Sequence, residues 1–333
     1  MSEPKSHHYV PQAHLNHFGS PNAKGEYEVH FLNKANLKKP PDRTGVRVLC
    51  AEDHGYRLTG ATRAERQFVE DAYADIWDAN YNKVHAVLTD DGVNEIDPDT
   101  RAMIIGTITT MLFRTRRLKI VTGRALEDGF ERAIRWAKEN GGEWQKENGG
   151  HITVFGEQFL ITGKSVKELV KEYEKRTHDG RVLEQLRLAL HLAEVRKNDR
   201  VTVYKSECSN CYLTSDHPVS AYNVFAPKGL IVAPSSPANT LSLPIGPKHR
   251  IELTHCDTHE DSHRVTRIAY PELLAEGDVM GNNNETQLMD CERFVIGDEA
   301  TLSNFDKHRW DVDFVARIRV AQDTYTQKLL GML

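Results

Sequence analysis

The stretch from Cys208 to Val219, CSNCYLTSDHPV, concentrates side chains that do chemistry. A short apolar run, Tyr212-Leu213-Thr214, ends in Ser215-Asp216-His217 and is stopped by Pro218. That pattern reads as a strand delivering three polar side chains at its exit. A second set opens the chain in HHYVPQAHLNHF, His7 to Phe18. His7 and His8 are adjacent, so on an extended backbone they face opposite sides, and at most one of them enters a given pocket. Imidazole and carboxylate together bind a divalent metal, or make a general base with an acid orienting its ring. His8 and Asp216 are therefore the expected metal ligands, and His7, His8, Asp216 and His217 the expected catalytic groups. Glu65 joins them to orient an arginine, complete a metal shell or move a proton. Arg114 and Arg116 suit an anionic substrate through bidentate bonds. Gln12, Ser215 and Asn283 complete the expected substrate contacts.

The sum is a hydrolase of phosphodiester bonds, with a metal-dependent nuclease as its specific form. The alternative is a non-catalytic binding or sensor protein for nucleic acid or a phosphorylated ligand, in which the arginines hold the anion and Asp216 and the histidines shape the cleft. A third reading is a structural or partner-binding protein. A purely structural origin accounts for the same residues: Ser-Asp-His-Pro makes a turn with Asp216 on backbone amides, Arg114 pairs with Glu65, and Asn283 caps a helix. Cys208-x-x-Cys211 with His255-Cys256-x-x-His259 has zinc-ligand spacing, but one such cysteine pair is a weak signal. Cys50 and Cys291 read as small buried apolar residues. Phosphate-binding Gly-Lys loops, dinucleotide fingerprints, HExxH and GxSxG elbows do not occur.

A net charge of -5 over 333 residues gives no global attraction to nucleic acid, which leaves local basic patches for that role. No run is apolar enough to span a membrane, and the opening residues lack the apolar core of a secretory signal. An odd cysteine count does not look like a disulfide framework. These features predict a protein of the reducing cytoplasm.

The elements that must position these groups fall into an α+β pattern: a helix-rich first part packed with a mainly antiparallel sheet from the C-terminal part. Glu28–Leu32 and Val46–Cys50 read as short strands. Residues 61–81 form an amphipathic helix with Phe68, Val69, Ala72, Tyr73, Ile76 and Trp77 inward. Asp97-Pro98 starts a helix that ends in Arg114, Arg116 and Arg117. A helix follows over 126–138, then a polar loop, ENGGEWQKENGG, that reads as an insertion or lid. Ser165 to Glu168 is a capping box, and a separate helix over 181–196 turns Leu183, Leu186, Leu190 and Ala193 inward. Strands are expected at 201–204, 230–232, 240–244, 250–253 and 294–296, with a helix from Asn282 to about Arg293. One composite domain over 1–333, or a division into 1–198 and 199–333, fits this order equally.

The chain resembles a functionally uncharacterised bacterial family, a domain of unknown function, whose members open on His-His-Tyr-Val-Pro-Gln and later carry a strand followed by Ser-Asp-Asn-Pro-Val. Here these are His7 to Gln12 and Ser215 to Val219, with His217 where asparagine is common. The resemblance extends to Glu65, to Arg114–Arg116, to Leu241–Pro244 and to Asn283, and so covers most of the chain around an atypical middle. It implies a shared fold and the two motifs, with no activity attached.

Overall fold

The computed structural model describes residues 6–139, 149–154, 157–207, 209, 211–223, 234–256, 263–270 and 280–304. Its first strand, β1 (Ser6–His8), pairs antiparallel with β5 (Ala51–Asp53) and sets His7 opposite Glu52. Strand alternation buries His7 and leaves His8 half-buried. Pro11 then opens α1 (Gln12–Asn16), with Leu15 and Phe18 in the core. Val46–Cys50, expected as a strand, is a turn between β4 (Asp42–Gly45) and β5. Cys50 and His54 have φ of 57° and 56°, a left-handed conformation that ends an extended path on both sides of β5.

The helix expected over 61–81 is interrupted. α2 (Arg63–Ala72) runs into a π-helical turn, Tyr73–Asp78, before α3 (Tyr81–Thr89). The wider turn rotates the side chains beyond it and brings Asp78 to Arg114. Val69, Tyr73 and Trp77 are buried as expected, but Phe68 and Ile76 are 55% and 46% exposed and Gln67 is fully buried. The inner face is therefore mixed: Val69, Tyr73 and Trp77 join the main apolar core, and Gln67 is buried beside them.

α4 (Pro98–Phe113) begins as read, with Asp97 accepting the Thr100 N–H at 2.9 Å. Its sides are buried nearly all round, by Ile104, Ile105, Ile108 and Met111 among others. α4 ends at Phe113 with Arg114 as its C-cap, and α5 (Arg116–Glu139) starts ten residues earlier than expected, so Arg116 and Arg117 open it where they were expected to end α4. The Ser165–Glu168 capping box opens α6 (Val166–Val195), one helix where two were expected. Gly180 is accommodated inside it. Leu183 and Leu190 are exposed, while Val182, Leu186, Ala189 and Leu192 face the core, so the apolar stripe is displaced from the one read in the sequence. β6 (His151–Val154) and β7 (Glu157–Leu160) form a hairpin.

The largest sheet runs in the order β10 (Ser220–Tyr222), β11 (Thr240–Gly246), β12 (His249–Thr254), β8 (Arg200–Ser206) and β13 (Val265–Tyr270). Its pairs are antiparallel except β13, which lies parallel to β8. The second sheet is made from both ends of the chain. Its order is β2 (Ser20–Pro21), β3 (Tyr27–Asn33), β14 (Phe294–Gly297) and β9 (Thr214–Ser215), with β4 also on β3. α7 (Met280–Asp290) and α8 (Glu299–Asn304) flank it in sequence. One apolar cluster joins Val10, Ile104, Val203, Leu243 and Ile296 across these elements. The fold is α+β, with the mainly antiparallel sheet expected from the C-terminal part. No helix among the described residues is long and apolar enough to cross a membrane. The strand read at 230–232 and residues 140–148 of the polar loop lie outside the described residues.

Candidate functional site

A cavity of about 430 Å³ lies where β1, β5, the α4–α5 junction and the middle of α6 meet. β1 and the residue after it contribute His7 and Tyr9, β5 contributes Glu52, and the turn beyond contributes Tyr56. Arg114, Arg116 and Lys119 come from the helix junction, and His178, Arg181 and Glu184 from α6.

Arg114 holds this assembly together. Its side chain is 1% exposed, its Nη1 lies 2.7 Å from Asp78 Oδ1, and its Nη2 donates to Asp78 Oδ2 at 3.2 Å. Nη2 also donates to the backbone carbonyl of His8, while Tyr56 Oη donates to the carbonyl of Arg114 itself. The guanidinium sits 4.5 Å from the Tyr73 ring centre, a cation–π contact. Burial works against its charge, but Asp78 more than offsets this and holds the group firmly protonated. One side chain thus ties the opening motif to α4 and to the π-helical turn.

His7 is fully buried, and its Nδ1 accepts the Tyr56 N–H at 3.0 Å. A neutral His7 therefore carries its proton on Nε2. Glu70 Oε2 lies 3.9 Å from the same Nδ1. Burial pushes the Glu70 carboxyl up to about 7, with Arg114 pulling it the other way. Glu70 Oε2, Tyr73 Oη and both amide atoms of Gln67 are buried without a hydrogen-bond partner. Sequence reasoning turned Tyr73 inward but missed Gln67 and Glu70. The i, i+3, i+6 spacing of Gln67, Glu70 and Tyr73 was the available signal, since it aligns them on one helical face.

The strand-exit motif lies behind the cavity wall. Asp216 is 1% exposed and its two carboxylate oxygens accept the N–H groups of Glu292 and Arg293 at 2.9 and 2.8 Å. Burial raises its carboxyl to about 6, against the pull of those amides. Ser215 Oγ donates to Gln287 Oε1 at 2.7 Å and accepts the His217 N–H at 3.2 Å. His217 Nδ1 shares a 2.7 Å hydrogen bond with Thr115 Oγ1, and burial keeps the ring neutral. Thr115 lines the cavity, so the motif reaches it through the residue between Arg114 and Arg116. We expect Asp216→Asn to cost about 1–3 kcal/mol, because an amide offers one acceptor to two buried backbone donors. Urea titration measures that cost; an unchanged midpoint would show that the loop holds without the carboxylate.

The remaining anticipated residues are placed as follows. His8 turns away from His7 and bonds to the Arg47 carbonyl at 3.1 Å and to Gln12 Nε2 at 3.3 Å. Glu65 is at the surface, where it accepts the Ala61 and Thr62 N–H groups and closes the α2 capping box. Arg114 pairs with Asp78 and not with Glu65. Arg116 pairs with Glu52 at 2.6 Å. Asn283 donates to the Leu213 carbonyl at 3.4 Å from within α7, beside Asn284, whose amide accepts the Leu213 N–H and donates to the Cys211 carbonyl. Among the described residues no three His, Cys, Asp or Glu side chains are grouped to hold a metal ion. Of the cysteine–histidine pattern, Cys208 and His259 lie outside the described residues; His255 faces Asp199 at 3.7 Å and Cys256 faces Arg200.

The family model described as "Protein of unknown function (DUF4238)" matches residues 6–301, from the buried His7 strand through the last helix of the second sheet. The chain belongs to this family. No curated protein and no solved structure matches it. The DUF4238 match takes in every wall of the cavity and the strand-exit motif behind it.

Proposed function

We propose that the cavity binds a small anionic ligand, with a phosphate as the group it recognises. The observation that carries this reading is the charge of the walls. Arg114, Arg116, Lys119 and Arg181 line one cavity against the carboxylates of Glu52 and Glu184, in a chain whose overall charge is negative. Arg181 is held on this wall by Glu174, whose backbone carbonyl accepts from Nη2 at 3.2 Å and whose Oε1 lies 3.9 Å from Nη1. Thr115 and Arg116 also stand at the start of the long helix α5, where backbone N–H groups and the helix dipole favour an anion.

Phosphodiester hydrolysis would add a base to this arrangement. His7 is the buried imidazole on the wall, but with Nδ1 accepting the Tyr56 amide its neutral form has no second lone pair to take a proton. His178 donates from Nε2 to the Arg57 carbonyl at 2.8 Å, which leaves Nδ1 of its neutral ring as the lone pair a hydrolase would use, so binding is preferred on the charge of the walls alone. Calorimetric titration with inorganic phosphate should show an affinity that falls steeply with added salt and drops about tenfold or more in Arg181→Ala. Phosphate binding that ignores both would overturn it. Release of nitrophenol from bis(p-nitrophenyl) phosphate, lost in His7→Asn, would instead establish the hydrolase.

A further inference from the structure

The lining of the cavity is of two kinds. Tyr9, Tyr56, Tyr173 and Leu188 offer rings and aliphatic carbon, and Arg116, Lys119 and Arg181 offer charge. Its volume of about 430 Å³ is that of a pocket for one small molecule, not of a groove for a polymer. Arg114 is paired with Asp78 and Arg181 with Glu174, so Arg116 and Lys119 face Glu52 and Glu184 with their charges balanced. One phosphate in place of the Glu52 carboxylate keeps that balance, which a polyphosphate would not.

Glu52 is the feature that nothing in the anion-binding reading requires. It lies 2.6 Å from Arg116 Nε and 3.6 Å from Lys119 Nζ, spanning two of the cations from the side of the cavity it lines. It is fixed there at the centre of β5, between the left-handed Cys50 and His54, both non-glycine residues that the fold holds in an unfavoured conformation. A carboxylate so placed does to Arg116 and Lys119 what a ligand's phosphate would do.

We propose that the cavity takes a ligand with one phosphate on a body that carries a flat aromatic ring, the chemistry of a nucleoside monophosphate, and that Glu52 is the built-in competitor its phosphate displaces from Arg116 and Lys119. This rests on the anion-binding reading above. Glu52 then sets the threshold for entry: inorganic phosphate, with no body to lay against the tyrosines, competes poorly, and the monophosphate gains the ring contacts that tip the exchange.

The test is calorimetric titration of the full chain and of Glu52→Gln with inorganic phosphate, adenosine monophosphate, adenosine triphosphate and a single-stranded oligonucleotide. The monophosphate should bind wild type about tenfold or more tighter than phosphate, in line with the worth of one stacked base. The triphosphate and the oligonucleotide should bind no tighter than the monophosphate. Glu52→Gln should tighten phosphate and monophosphate alike by about tenfold. Glu52→Ser, which also removes the charge, should do the same, and this variant decides the matter if the glutamine protein does not fold. Unchanged or weaker binding in both variants would overturn the competitor role. Equal affinities for phosphate and monophosphate, or a preference for the triphosphate or oligonucleotide, would overturn the ligand class while leaving anion binding intact. No binding of any anion to any of the proteins would sink the anion-binding reading itself, and this inference with it.

Discussion

Arg114→Met should lower the free energy of unfolding by about 3 kcal/mol, the lower end of the cost of breaking a buried ion pair by removing one partner, because the Asp78 left behind is 26% exposed. The loss follows from what the guanidinium holds. It neutralises Asp78, satisfies the His8 carbonyl and packs on Tyr73, so its removal frees the opening motif, α4 and the π-helical turn at once. Methionine keeps most of the volume, which leaves charge and hydrogen bonding as the cause of the effect. The double variant Arg114→Met with Asp78→Leu should recover part of the loss, because no uncompensated carboxylate then remains. Urea titrations of the two singles and the double give the coupling directly. A loss below about 1 kcal/mol, in the range of an exposed pair, would show that Arg114 does not hold the site together.

The second large effect concerns pH. Glu70 has its carboxyl raised from the ordinary 4.5 to about 7, chiefly by burial. A carboxyl with a raised folded value binds its proton more tightly in the folded state. It contributes stability below the unfolded value, and that contribution is lost as pH rises from about 4.5 through about 7. The span corresponds to roughly 3 kcal/mol at 1.36 kcal/mol per pH unit. Glu70→Gln removes the titration, so the variant should match wild type near pH 4.5 and exceed its stability by up to that amount at pH 8. Asp216, raised to about 6, adds a slope of the same sign in both proteins. His14 and His85, lowered by burial to about 3 and about 4, add the opposite sign, losing stability as pH falls below 6.5. Those contributions cancel in the difference between variant and wild type. Parallel stability–pH curves for the two proteins would place the Glu70 proton elsewhere.

Local signals in the sequence carried much of the fold. Asp97-Pro98, the Ser165–Glu168 box and the alternating runs at 201–204, 240–244 and 250–253 each specify an element through contacts within a few residues, and each is present. The opposite sides of His7 and His8 follow from strand alternation alone, and so does the α+β class from the order of the elements. Where a second segment decides the outcome, those signals did not reach. Phe68 and Ile76 look inward by periodicity, but the π-helical turn and the buried polar groups of α2 turn Gln67 and Glu70 inward in the same stretch. Glu65 carries a capping-box spacing with Thr62 in the sequence, and the structure uses it for that.

The sequence by itself determined which side chains were present for the site: the opening histidines, the arginines at the end of α4 and the polar strand exit. Only the tertiary structure decided that Arg114 pairs with Asp78, that Asp216 meets the backbone of Glu292 and Arg293, and that Glu52 pairs with Arg116 on the cavity wall. Each of those pairings joins residues tens of positions apart. Their partners are chosen by how strands and helices pack, and by the need of every buried charge to find an opposite charge or a hydrogen bond, which no local pattern encodes.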